Sequence, residues 1–240
     1  MREKPQGPDP GRIGRLFGSV AGRYDLANTI LSFGIHHLWR RRMARWSEAP
    51  PGGSLLDCAT GTGDVVFTFR KILGPEGTAV GADFCRPMLE VARLKAEKKG
   101  FRVSFLQADA LRLPFRDSVF DLATIAFGIR NVADPAAGLA EMARVVRPGG
   151  TVLVLEFGQV RVPGFRRIYT LFSRHVLPRL GGWITGKKEA YRYLQESSAR
   201  FPCGGDFLAL MEATGRLEDL RSLPLTGGIA WLYRGRVRGG

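Results

Sequence analysis

The chain has 240 residues, 45% of them hydrophobic and 24% charged, with a formal net charge of +14. That length and composition suit one globular α/β domain with some elaboration and exclude a disordered or collagen-like polymer. The positive surplus points to an anionic partner, nucleic acid or the face of an anionic membrane, or else to a solvated basic surface.

Residues 1–11, rich in proline and glycine, are expected to form a disordered tail, followed by a single domain over 12–240. From Arg12 to Trp46 apolar residues recur three and four apart (Ile13, Leu16, Phe17, Val20, then Leu26, Ile30, Leu31, then Leu38, Trp39, Met43), which predicts helices over 12–50. The cluster Arg40-Arg41-Arg42, with Arg45, reads either as a phosphate- or lipid-facing surface or as one solvated helix face. The three cysteines, Cys58, Cys85 and Cys203, lack metal-ligand or disulfide spacing and suit a reducing compartment, with no metal site expected. No signal-peptide core and no run of spanning length is visible, so the expected location is cytoplasmic, with any membrane contact peripheral to its inner face.

The chemistry is signalled first by Ser54-Leu-Leu-Asp-Cys-Ala-Thr-Gly-Thr-Gly-Asp64. It predicts a buried strand (54–59), a tight turn through Gly61, Thr62 and Gly63, and a helix (64–72) capped by the Asp64 side chain. Lacking Cβ atoms, the glycines permit close approach of a ligand. A second strand, 78–83, ends in Asp83, placed to accept from both hydroxyls of a ribose. Val66 stands where a full dinucleotide motif has its third glycine, so a pyrophosphate cradle is not implied. S-adenosylmethionine, a nucleoside-bearing cofactor without a pyrophosphate, suits this pattern best.

A helix over 87–99 and a strand over 102–107 lead to Asp109-Ala110, positioned either to accept from an adenine amino group or to cap a short turn. Strand 121–126 exits through Ala126-Phe-Gly-Ile-Arg-Asn131, which places Arg130 and Asn131 in the crevice at the strand ends, where ligands bind in open α/β sheets. Helix 135–146 and strand 151–157 complete five alternations. Residues 158–198 interrupt them with an insertion whose large apolar residues are interleaved with arginines. It reads as a lid over an apolar site, as a membrane-lying surface, or as a further helical layer. A helix (206–213) and two strands, near 217–223 and at 228–234, close the chain as an antiparallel edge.

In their order, Tyr24-Asp-Leu-Ala-Asn28, Leu56-Asp-Cys-Ala-Thr-Gly-Thr-Gly-Asp64, Phe127-Gly-Ile-Arg-Asn131, Arg147-Pro-Gly-Gly150, Ala190-Tyr-Arg-Tyr-Leu194 and Leu225-Thr-Gly-Gly-Ile229 resemble the C-methyltransferases of menaquinone and ubiquinone biosynthesis, from about Val20 to Arg234. The resemblance implies the class I, Rossmann-like methyltransferase fold: a seven-stranded, mostly parallel sheet with an antiparallel last strand, here with N-terminal helices and a helical insertion before the last strands. It implies S-adenosyl-L-methionine as cofactor, held by Thr62, Asp83, Asp109 and Ala110, beside the close approach that Gly61 and Gly63 permit. It implies a polyprenylated quinol as substrate, with Tyr24, Asp25 and Tyr193 either in the acceptor pocket or in structural hydrogen bonds. Arg130 is expected to stabilise developing phenolate charge or orient a water, and Asn131 to fix a ring oxygen.

Demethylmenaquinol and the ubiquinone precursor are both open as substrates. A nucleic-acid methyltransferase and a non-enzymatic binding subunit on the same fold are the competing readings. No recognition module for nucleic acid is visible, contact with an anionic membrane surface is expected, and association with a second copy is left open.

Overall fold

A computed structural model describes residues 8–160 and 162–239. Residues 1–7 of the expected tail lie outside it. Helix α1 (Pro10–Gly18) starts earlier than expected, because Asp9 is an N-cap whose carboxylate accepts from the Gly11 and Arg12 N–H groups, with Pro10 in the first turn. Two more helices follow, α2 (Tyr24–Leu31) and α3 (Ile35–Trp46), and then the alternation begins.

Its members are β1 (Ser54–Cys58), α4 (Asp64–Leu73), β2 (Thr78–Asp83), α5 (Arg86–Lys99), β3 (Ser104–Gln107), β4 (Phe120–Ala126), α6 (Pro135–Val145) and β5 (Val146–Phe157). β5 starts five residues before the predicted strand: Val146 pairs with Phe120, and a register shift between Phe120 and Leu122 accommodates the Arg-Pro-Gly-Gly segment. The insertion forms α7 (Phe165–Leu171), a π-turn at Phe172–Val176, α8 (Leu177–Thr185) and α9 (Lys188–Arg200). Then come α10 (Gly205–Glu212), β6 (Leu217–Leu225) and β7 (Ala230–Val237).

The seven strands form one sheet in the order β3-β2-β1-β4-β5-β7-β6. β1 to β5 are parallel, and β7 runs antiparallel to both β5 and β6. Central strands buried on both faces explain the nearly continuous apolar runs. Successive residues alternate between two cores. Leu56, Ala123, Val152 and Val154 pack with Leu139 and Met142 of α6 and Phe207 and Met211 of α10. Leu55, Leu122, Leu153 and Leu155 pack with Trp39 and Met43 of α3 and with Val65, Val66 and Phe69 of α4. A third cluster joins Val20, Ala27 and Leu31 to Cys85 and Met88, and to Ala190 and Tyr191 of α9. The insertion thus packs as a further layer on the N-terminal helices and α5, while its outer face stays exposed.

Cys58 pairs in register with Ala82 on one side and Ile125 on the other, so β1, β2 and β4 end at one level. After β3 the chain crosses back over β1 to add β4 on the other side. The reversal opens a crevice between the ends of β1 and β4, and this positions the site.

Asp57, beneath that crevice, is 1% exposed. Its two oxygens accept from Thr124 Oγ1 and Thr60 Oγ1, each at 2.6 Å. Burial outweighs these bonds and pushes the carboxyl from 3.8 up to about 7. Between those values the native state holds a proton that the unfolded chain has released. Stability therefore falls as pH rises from about 4 to 7 and is level above. At about 1.4 kcal/mol per unit, the loss is on the order of 4 kcal/mol. Asp57→Asn should flatten this slope in urea denaturation across that window; an unchanged slope would contradict the assignment.

Candidate active site

The crevice is walled by the exits of the parallel strands: Ala59 and Gly61 after β1, Asp83, Phe84 and Cys85 at the end of β2, Ala108, Asp109, Ala110 and Leu111 after β3, and Phe127, Gly128 and Asn131 after β4. Met88 of α5 and Tyr24 of α2 complete the wall, and Ile13, Gly14 and Phe17 bring α1 across the opening. Two residues with side chains, Ala59 at φ 48 and Phe127 at φ 56, occupy the left-handed region on neighbouring strand exits. Such backbone persists only when its surroundings enforce it, and it is common where a ligand is clamped. Here the two exits are interlocked: a Cβ on Gly128 would lie 2.5 Å from the Ala59 Cβ.

Asp83 organises the turn. Its Oδ2 accepts from Gly61 N–H and its Oδ1 from Cys85 N–H, each at 2.7 Å. Burial pushes this carboxyl up, and the two backbone donors act against it. Asp109 Oδ1 accepts from Leu111 N–H at 2.9 Å, so the turn-capping reading of Asp109 describes one of its bonds. The residues fit S-adenosylmethionine. A Cβ on Gly61 would meet nothing within 4 Å, which leaves open space at the turn. Two carboxylates with unused lone pairs border that space, and Phe84, Met88 and Leu111 supply apolar surface for a flat base.

Thr62, Gly63 and Asp25 are not on this wall. Thr62 Oγ1 donates to Asp25 Oδ1 at 2.6 Å, and Lys95 Nζ donates to Asp25 Oδ2 at 2.6 Å. Lys95 also reaches Asp64, whose other oxygen takes Arg40 Nη1 at 2.7 Å. The expected cap by Asp64 is therefore corrected: Asp64 is the first residue of α4, its N-cap is Gly63, and no side-chain cap bond forms. Two cations hold the carboxylate instead. Burial raises Asp64, but Arg40 and Lys95 outweigh it and leave the carboxyl below its ordinary value. This network ties α2, α3 and α5 to the back of the glycine turn.

Arg130 and Asn131 fall in one short 3-10 turn but differ in environment. The Arg130 side chain is 2% exposed and that of Glu156 1%, and Nη1 donates to Glu156 Oε1 and to Phe127 O, each at 2.6 Å. The guanidinium also lies over the Phe157 ring, 5.4 Å from its centroid. Its charge is thus matched by a carboxylate away from the pocket wall, which Asn131 does line. Tyr193 of α9 donates to Asn131 Oδ1 at 2.9 Å. That bond takes the amide oxygen and leaves the NH₂ group as the donor available to a ligand. Burial raises the phenols of Tyr24 and Tyr193, so both stay protonated at neutral pH.

Sequence pattern alone did not identify Glu156 as the partner of Arg130, Lys95 as the hub of the rear network, or α1 as a wall. A lysine at a half-buried position on the inward face of α5 was the one available signal.

The profile of the ubiE/COQ5 methyltransferase family matches residues 6–236. The chain belongs to that family. It is 50% identical over 231 residues (96% of this chain, 98% of the other) to the ubiquinone/menaquinone biosynthesis C-methyltransferase UbiE of Bdellovibrio bacteriovorus. It is 46% identical over 220 residues (92% and 99%) to the demethylmenaquinone methyltransferase of Thermus thermophilus. In fold it is similar to a S-adenosylmethionine-dependent methyltransferase of Thermotoga maritima, with a TM-score of 0.64 at 21% identity over 92% of this chain and 98% of the other. The ubiE/COQ5 family member described here has the class I Rossmann-like fold and is an S-adenosylmethionine-dependent methyltransferase of quinone biosynthesis.

Proposed function

We propose that this methyltransferase C-methylates the ring of a polyprenylated quinol, with demethylmenaquinol as substrate and menaquinol as product. The observation that carries the reading is Asn131 at the pocket wall, its amide oxygen held by Tyr193 of α9, in a chain with close relatives named for quinone methylation. An amide NH₂ held in place can donate to a ring oxygen, favouring its ionised form and making the adjacent carbon nucleophilic; once methylated, that carbon would lose its ring proton to solvent and the quinol would be restored. When bound, S-adenosylmethionine supplies a methyl group on a positively charged sulfur. Asp83, Asp109 and Ala110 hold its nucleoside, Gly61 lets it approach the chain, and Ile13 and Phe17 of α1 exclude water. Orienting cofactor and ring in one pocket would supply a share of the barrier that reaches about 7–11 kcal/mol in intramolecular reactions. Arg130 acts as a positioning residue: paired with Glu156 and bonded to Phe127 O, it fixes the turn that presents Asn131. Tyr24 offers a protonated phenol to the acceptor.

The polyprenyl tail calls for a bilayer. Among the described residues no helix is long and apolar enough to cross one. The reading is peripheral contact on the inner face, with the catalytic domain in the cytoplasm. Phe33 is 79% exposed and Trp183 84%, and the Phe33 ring lies 6.2 Å from that of Phe172, so the end of α2 and the insertion share one apolar surface. Arg166, Arg167 and Arg174 are exposed on the same insertion. Basic residues contribute about 1 kcal/mol each near an anionic surface. The protein should co-sediment with phosphatidylglycerol vesicles at low salt and detach as salt rises. Arg166→Gln/Arg167→Gln/Arg174→Gln should weaken that binding and leave cofactor affinity alone; an unchanged vesicle isotherm would remove this surface from the reading.

Cells that lose the protein should accumulate demethylmenaquinone, read by mass spectrometry of extracted quinones. Accumulation of 2-polyprenyl-6-methoxy-1,4-benzoquinone instead would assign the ubiquinone precursor as substrate.

A further inference from the structure

The arginine cluster of α3 is split by the fold. Arg40 is ion-paired with Asp64, and both border a groove of about 350 Å³ that Arg41 and Arg45, Lys71 of α4 and Lys99 of α5 also line. None of the last four side chains is ion-paired to a carboxylate among the described residues. The one acid on the wall, Asp64, is already held by Arg40 and Lys95. The lysines and Arg45 lie in the last turns of α3, α4 and α5, at their carbonyl ends. Each helix end carries roughly half a negative charge. Three such ends offset less than half of four full cations, so a net positive field remains. Ile72 and Phe101 add apolar wall. None of the four cations borders the cofactor pocket.

We propose that this groove is a binding site for a phosphate-bearing anion, separate from the methyl-transfer site. Four unpaired cations on three different helices converge on one space, and charge-assisted bonds to phosphate oxygens are the chemistry such a set provides. The space suits a phosphate-bearing headgroup, and a lipid and a small soluble phosphate would present the same group to it. The assignment holds whether or not the quinol reading does.

The test uses the full chain and Arg41→Gln/Arg45→Gln/Lys71→Gln, with inorganic pyrophosphate in calorimetry and, separately, phosphatidylglycerol against phosphatidylcholine vesicles in co-sedimentation. The three residues are exposed, so the variant should melt as the parent does and bind S-adenosylmethionine with unchanged affinity. Pyrophosphate affinity lowered at least tenfold in the variant supports the site, with a soluble phosphate as ligand. No pyrophosphate binding, but phosphatidylglycerol binding that falls severalfold in the variant, supports it with a lipid headgroup as ligand. A variant that binds both probes like the parent overturns the proposal. So does a parent that binds neither probe, including one that holds an RNA oligonucleotide through these residues instead.

Discussion

Asp83→Ala should weaken S-adenosylmethionine binding at least tenfold in titration calorimetry. Two losses combine. Charge-assisted hydrogen bonds from ribose hydroxyls, worth roughly 1.5–3 kcal/mol each, disappear with the carboxylate. The Gly61 and Cys85 N–H groups also lose their acceptor, so the glycine turn itself loosens. Asp83→Asn separates the effects, because its amide oxygen can still accept from one of the two N–H groups while the charge is gone. It should fall between parent and Asp83→Ala. Unchanged affinity in a folded Asp83→Ala protein would remove Asp83 from the site.

Arg130→Ala should be the most destabilising single change near the pocket. It leaves Glu156, 1% exposed, as a carboxylate with no cation beside it. Removing one partner of a buried ion pair typically costs about 3–5 kcal/mol. Urea denaturation should show a loss of that order, and Arg130→Met/Glu156→Gln should recover much of it. A loss under about 1 kcal/mol would contradict the buried pairing. Glu156→Gln separates the two roles of Arg130. A positioning role predicts that methyl transfer falls in Glu156→Gln as well, with S-adenosylmethionine affinity nearly intact. If the guanidinium served the substrate directly, Glu156→Gln would free it, and turnover would persist.

Much of the fold was legible because the strands are buried on both faces. The run Ser54–Cys58 and the repeat Thr78–Asp83 are apolar, short and bounded by turn residues, so local pattern and tertiary role agree. The place of Asp83 was legible for the same reason: it ends a buried strand beside the glycine turn, where the structure has it accept from Gly61 N–H. Side-chain partners were not legible. Asp64 satisfies the local rule for a helix cap, yet Arg40 and Lys95, 24 and 31 residues away, claim it. Arg130 has the charge expected of a catalytic cation, and Glu156, 26 residues on, matches that charge. Asn131 and Tyr193 were each singled out, but the bond between them spans 62 residues and exists only because the insertion brings α9 back to the exit of β4. Asp25 and Thr62 were assigned to substrate and cofactor separately, and the fold joins them to each other. In each case the chemistry of a residue was readable while its partner was set by topology.

The most direct measurement of the central claim offers S-adenosylmethionine labelled in its methyl group to the purified protein with demethylmenaquinol in phosphatidylglycerol vesicles and, in a parallel reaction, with total cellular RNA and DNA. The account predicts label in the quinone fraction, on a ring carbon by tandem mass spectrometry, and none above background in nucleic acid. Label in nucleic acid and none in the lipid fraction would contradict it.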